Sequence, residues 1–243
     1  MSEPLISRIT TRRGRPDRRV VQVEFEAGDS LELELPAAAV EDRGLSEGDT
    51  LASHVLLEIQ QIAEIEACRR RSLRLLATRP RSEEELRRRL VRADFSYLAI
   101  ERVIGELLEN SSLDDDAFAQ TLAELRREDR GHAPSRIERE LRDRGVDRET
   151  AHRAAWAPYE RNDMDPESLQ LEQALGLLRR KRRRYEGLVL MAARRRMAAL
   201  LDRSGYPVGV AIDAVDAVLE EMLAEGALSS DAEAEDEGRD SGR

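Results

Sequence analysis

The residue in this chain with most to offer chemically is arginine. Of its 40 basic side chains only Lys181 is a lysine. The densest run is "RRKRRRY", 179–185, with Arg179, Arg180, Lys181, Arg182 and Arg183 in succession. A guanidinium is a planar fork of donors that fits a phosphate or a carboxylate through two parallel hydrogen bonds. The run therefore reads as a contact for phosphate or acidic protein. It also reads as a solvated helix end whose cations suit the C-terminal dipole. The same choice arises at "RRR", 194–196, in an Ala-rich stretch that needs a polar face. Arg127, Arg130, Arg136, Arg139 and Arg142 form a further series, and Arg87 and Arg88 lie earlier, within "RPRSEEELRRRL" (79–90). These arginines are the candidate contact residues.

Other chemistries find little support. His54, His132 and His152 are far apart and show no ligand spacing. "DDD", 114–116, reads as a helix N-terminal cap and dipole partner, against a metal or recognition patch that would need more ligands nearby. Cys68 is the one cysteine, so no intramolecular disulfide or thiol cluster forms, and it reads as a small buried side chain. No Gly-rich phosphate loop, GxSxG or HExxH occurs. No catalytic residue, metal or cofactor is expected.

The net charge of −10 taken whole argues against nucleic acid, but its distribution does not. Residues 1–66 sum to −7, residues 67–210 to +6 and residues 211–243 to −9. A basic middle between acidic ends attracts anions locally whatever the total. A GC-rich genome and a salty cytoplasm account for part of the arginine bias and the acidic total. With aromatics at 3% and charged residues at 37%, the composition favours helices with wide solvated faces around a Leu, Ala, Val and Ile core. The start lacks an apolar leader and no apolar run is long enough to span a bilayer, so a soluble, cytoplasmic protein is expected.

These arginines need elements to position them. "VVQVEF" (20–25) and the alternating "LELEL" (31–35) read as strands joined by the turn "EAGD". "ISRITT" (6–11) is a candidate third strand, followed by "RRGRPD" as a loop. Pro36 opens a short helix ending at Gly44, and Asp49 or Thr50 caps the next helix. A lone hairpin is marginal in water, so this segment should pack on that helix. From Leu51 to about Leu228 the pattern is helical, broken at "APYERNDMDPESL" (157–169) by Pro158 and Pro166. Residues 229–243 are acidic, lack apolar periodicity and should be disordered.

A repeat emerges on aligning Leu90, Leu141 and Leu201. Four residues on stand Asp94, Gly145 and Gly205, a turn position that suits a left-handed residue. Phe95, Val146 and Tyr206 come next, then Ser96, Asp147 and Pro207 as helix starters. Ile100, Ala151 and Ala211 continue the match, as do Val103, Ala154 and Ala214, and Ile104, Ala155 and Val215. Ahead of each pair lies another amphipathic stretch: "ACRRRSLRLLATR" (67–79), "AFAQTLAELRRE" (117–128) with Phe118, Leu122 and Leu125 on one face, and "LQLEQALGLLRR" (169–180) with Leu171, Ala174, Leu175 and Leu178. Ser82 and Glu85 have capping-box spacing before Leu86 and Leu90, and Ser135 and Glu138 before Leu141, with Ile137 matching Leu86. Trp156 and Tyr159 are candidates for packing between the second and third repeats, or for stacking on bases.

The expected architecture is mostly α. Tandem three-helix repeats, with helices of about 10–15 residues each, form an elongated, curved array behind a small β-hairpin-containing N-terminal segment. The expected divisions are 1–50, the β-rich segment; 51–113, a linker helix and the first repeat; 114–160, the second repeat; 161–228, connector and third repeat; and 229–243, the tail.

At these residues the chain resembles RecX, the bacterial regulator of the RecA recombinase. The resemblance rests on "RPRSEEEL" (79–86), "DDDAFA" (114–119), Arg127, Gly131 and "IERELRDRGV" (137–146), and covers roughly residues 5–225. Asp94 in place of glycine, the acidic tail and the scarcity of lysine depart from the pattern. The resemblance implies a non-enzymatic modulator, mainly an inhibitor, acting in DNA repair, homologous recombination and the SOS response. It would lodge in the groove of the RecA filament on single-stranded DNA and damp ATPase, strand exchange and coprotease activity. Weak direct DNA binding, a monomer and no membrane partner go with it. A competing reading is a stand-alone helical nucleic-acid-binding protein acting without RecA. Against it, "SYLAIERVIGELLEN" and "PVGVAIDAVDAVLEEM" are neutral to acidic, unlike recognition helices. A third is a plain scaffold whose arginines reflect genome bias.

Overall fold

The computed structural model describes residues 3–160 and 165–229. The chain divides into two compact units, Met1–Asp114 and Asp115–Arg243.

The first unit opens with an antiparallel sheet in the order β1 (Leu5–Arg12), β2 (Arg15–Glu24), β3 (Ser30–Pro36). β-branched residues and period-2 alternation put Ile6, Val21, Val23, Leu33 and Leu35 in the core. "EAGD" turns as expected: the Phe25 amide donates to the Asp29 carbonyl at 2.9 Å and the Gly28 amide to the Phe25 carbonyl at 3.0 Å. "RRGRPD" is not a loop. Only Arg13 and Gly14 turn, and Arg15–Asp17 already belong to β2. Pairing passes from Thr11↔Arg19 to Arg12↔Arg15 with a register shift, so Pro16 falls where no ladder donor is needed.

Pro36 leads into α1 (Ala37–Asp42), closed by the Leu45 amide donating to the Val40 carbonyl at 3.0 Å. Neither Asp49 nor Thr50 caps the next helix. α2 (Ser53–Thr78) begins after Ala52, which makes no side-chain cap. The two residues instead tie the chain to the sheet. The Asp49 carbonyl accepts from the Ile6 amide of β1 at 2.8 Å, and Thr50 bridges Leu5.

α2 is a single helix of 26 residues, which unites the expected linker helix with the first helix of the repeat. Its apolar stripe changes face along its length. Val55, Leu56, Ile59, Ile62 and Ala63 cover the sheet. Ile65, Cys68, Leu75 and Leu76 pack against α3 (Glu83–Val91) and α4 (Tyr97–Glu109), where Leu86, Leu90, Ile100, Val103 and Ile104 are buried.

The "RPRS" stretch is the hinge between two of these helices. Arg81 is buried, and its Nε donates to the Leu75 carbonyl near the end of α2 at 3.0 Å. Its Nη2 reaches Thr78 Oγ1 at 3.2 Å. Ser82 then caps α3 by accepting from the Glu85 amide at 3.1 Å. One short motif closes the first helix and opens the second.

The second unit holds two further helix triplets. α5 (Asp115–Glu128), α6 (Pro134–Asp143) and α7 (Arg148–Glu160) enclose Phe118, Leu122, Ile137, Leu141, Val146 and Ala155. α8 (Pro166–Arg180), a 3-10 turn at Arg182–Arg184, α9 (Leu190–Ser204) and α10 (Val208–Ala224) enclose Leu177, Leu178, Met197, Leu201, Tyr206 and Val218. The left-handed turn recurs as expected, with φ of +60° at Asp94, +89° at Gly145 and +86° at Gly205.

Several local expectations need correction. Leu125 is exposed, because the helical period carries it past the face that buries Phe118 and Leu122. Pro158 lies inside α7, in its last turns, and opens no connector. Ser135 does not cap α6. That helix starts at Pro134, and Ser135 Oγ donates to the Gly205 carbonyl at 2.7 Å. Trp156 packs within the second repeat, its Nε1 donating to Glu138 Oε2 at 2.9 Å. Tyr159 does join the two repeats, its hydroxyl donating to Gln173 of α8. Within the expected connector, residues 161–164 lie outside the described residues, as does the expected tail from 230 onward.

Candidate functional site

Ion pairing sorts the candidate arginines into two groups. Arg87 is held by Glu101 and, at 2.8 Å, by Glu83, which in that order raise its proton affinity. Arg88 Nε pairs with Glu84 at 2.9 Å, one turn back on the same helix. In the run 179–185, Arg179 Nε reaches Glu221 at 3.2 Å and Arg182 Nη1 reaches Glu225 at 3.1 Å. Glu221 and Glu225 stand one turn apart at the end of α10, so that helix neutralises these two cations. Arg194 likewise meets Asp216 at 2.7 Å.

The remaining candidates, Arg127, Arg130, Arg136, Arg139, Arg142, Arg180 and Arg183, form no ion pair among the described residues. Arg130, Arg139, Arg142, Arg180 and Arg183 are exposed, and Arg127 and Arg136 are half-buried. Arg127 turns toward a mixed-charge cavity of about 250 Å³ that also carries Asp116, Glu124 and Arg153.

The fold brings part of this free group together. The loop before α6 and the turn before α10 are seated on one another. The Ala133 amide donates to the Ser204 carbonyl at 2.9 Å, and the Tyr206 hydroxyl donates to the Gly131 carbonyl at 3.2 Å. Gly131 allows α8 to come close, since a Cβ there would lie 2.9 Å from Leu177 Cδ1. The end of α8 is thereby placed beside the end of α5. Lys181 has its proton affinity lowered by burial, and then by its nearby cations Arg184, Arg180 and Arg130. His132, pushed down to about 4 by burial and then by Arg136, also has Arg126 and Arg130 close by. Arg130, Arg180, Lys181 and Arg184 therefore lie together on one basic surface at the seam of the second and third repeats, while Arg136 stands beside His132 and Gly205.

Lys181 and Arg184 were not among the site candidates. They belong to the same basic run, but which of its members are neutralised depends on Glu221 and Glu225, some forty residues away. Arg139 and Arg142 stand on α6, where Arg142 lies near Glu138. The core candidates Leu86, Leu90, Phe118, Ile137, Leu141, Val146, Leu201 and Tyr206 are buried. Phe95 is partly buried against the first repeat's core.

No group of three His, Cys, Asp or Glu side chains that could hold a metal ion occurs among the described residues. Cys68 is buried, and its thiol is pushed up to about 11 by burial. No helix among the described residues is long and apolar enough to cross a membrane. The basic surface can pair with phosphates or carboxylates.

Comparison with known proteins agrees with the repeated three-helix architecture. The family model "RecX, first three-helix domain" matches residues 68–107, and "RecX, second three-helix domain" matches residues 114–154. A regulatory protein RecX of Corynebacterium efficiens is 33% identical over 160 residues, covering 64% of this chain and 73% of its own length. That of Streptomyces coelicolor is 35% identical over 157 residues, covering 65% and 80%. A crystal structure of a regulatory protein RecX shares the fold, with a TM-score of 0.60 at 19% identity over 88% of this chain and 99% of that one. With two family domains in order and relatives matched over most of their length, this chain belongs to the RecX family of regulatory proteins.

Proposed function

We propose that this protein is a non-enzymatic modulator of the RecA recombinase. It binds the RecA filament on single-stranded DNA and damps its ATPase, strand exchange and coprotease activity. Family membership supports the regulatory role. The observation that carries the mechanism is the sorting of the arginines: Arg179 and Arg182 are spent on α10, while Arg130, Arg180, Lys181 and Arg184 stay together without an ion pair among the described residues. Unpaired cations concentrated on one surface attract an anionic partner at long range and shape the encounter.

Tandem repeats offer several such contacts on one chain, and linked weak contacts bind far more tightly than any one alone. The protein acts from solution as a monomer with weak DNA affinity of its own. Co-sedimentation tests the reading. The protein should pellet with RecA filaments on single-stranded DNA at concentrations where it leaves the bare strand free. Equal affinity for bare DNA and filament would instead support a stand-alone nucleic-acid binder.

A further inference from the structure

The first unit carries a concentration of positive charge of its own. Arg12, Arg15, Arg70, Arg74, Glu34 and Leu73 line a groove of about 490 Å³ between the sheet and α2. Four cations therefore face a single carboxylate. Glu34 holds two of them, Arg70 at 3.2 Å and Arg12 more loosely at 3.9 Å. Arg15 and Arg74 have no ion pair among the described residues.

This arrangement is unfavourable for the protein alone. Arg12 and Arg15 are direct cross-strand partners at the end of the β1–β2 hairpin, where like charges repel. Arg70 and Arg74 stand one turn apart on α2, a second like-charge pair. Burial lowers the proton affinity of Arg70, Glu34 raises it, and Arg18, Arg15 and Arg74 lower it further. Two repelling pairs brought to one groove lose least when an anion lies between them.

We propose that this groove binds the phosphodiester backbone of single-stranded nucleic acid. Guanidinium forks fit phosphate oxygens. The volume is many times the roughly 30 Å³ share of one small molecule such as water, so it holds a stretch of backbone better than a lone ion. Leu73, 48% exposed in the groove, offers apolar surface to a sugar or an unstacked base, which a single strand presents and a duplex hides. Arg12, Arg15 and Glu34 precede the first matched family domain at residue 68. The groove is thus an anchor assembled by the sheet, and it needs no recombinase.

The test is fluorescence anisotropy of a labelled oligothymidylate with the full chain over a range of salt. Arg15→Ala with Arg74→Ala should weaken binding roughly tenfold at low salt and flatten the log K against log salt slope by about 1.4, at about 0.7 per lost contact. Replacing the same two residues with lysine should keep the slope. Glu34→Gln, which frees Arg12 and Arg70, should tighten binding severalfold, a gain that no folding defect imitates. Wild-type affinity and slope in the double alanine variant would overturn the proposal. So would displacement of the oligonucleotide by millimolar inorganic phosphate, which would mark a single-ion pocket.

Discussion

A Cβ built on Gly205 would stand 2.6 Å from Arg136 Cβ, closer than two carbons can approach. The turn of the third repeat thus rests directly on the first turn of α6 in the second. Gly205 also has φ of +86°, and its carbonyl accepts from Ser135. One residue meets the need for a left-handed turn and the need for close approach. The same contact holds the loop at 131–135, whose Gly131 lies against Leu177 and Arg180 at the end of α8.

Gly205→Ala should therefore cost about 2–4 kcal/mol, from backbone strain plus a clash that no flexible side chain can relieve. The urea midpoint should fall accordingly. Gly226→Ala is the control: φ there is also positive, at +66°, but no atom lies within 4 Å of the added Cβ. Its smaller loss isolates the strain from the clash.

Asp94 occupies the equivalent turn of the first repeat at φ +60° with a side chain that tolerates this region but does not prefer it. Asp94→Gly should stabilise the protein by about 0.5–1 kcal/mol, since relief of strain outweighs the added freedom of the unfolded chain. A thermal melt reads it directly; a lower midpoint would mean that Asp94 supplies contacts that glycine cannot.

His132 is held neutral by burial first and by Arg136 next, with its pKa pushed down to about 4 from 6.5. Between those values the unfolded chain binds a proton that the folded chain refuses. The contribution is therefore intact above pH about 6.5 and is lost as pH falls toward about 4. His132→Gln should flatten the stability profile across that window. An imidazole titrating near 6.5 by NMR would contradict the assignment.

Much of this arrangement is legible in the sequence. The repeat could be read because its core positions and turn residue recur in step, and burial and φ follow those residues closely. The "RPRS" motif was visible as a cap at Ser82, but not Arg81 as the closure of the preceding helix. That role depends on where α2 ends. Ser135 misled for a related reason: a serine near a helix start is a cap only if the backbone begins there, and its hydroxyl went to Gly205 instead. The candidate surface was legible as composition and illegible as selection. Which arginines remain available is decided largely by Glu221, Glu225 and Glu101, partners that tertiary structure supplies. The N-terminal groove was hidden because Arg12 and Arg15 meet Arg70 and Arg74 only once the sheet lies on α2.

The central claim is tested most directly by the ATPase rate of the cognate RecA on single-stranded DNA, titrated with this protein. The wild type should inhibit well below one copy per RecA protomer. A variant carrying Arg130→Glu, Arg180→Glu and Arg184→Glu should need at least tenfold more protein, while Arg179→Glu should change little, because Glu221 already occupies that side chain. No inhibition by the wild type at equimolar protein, or equal inhibition by the triple variant, would contradict the account.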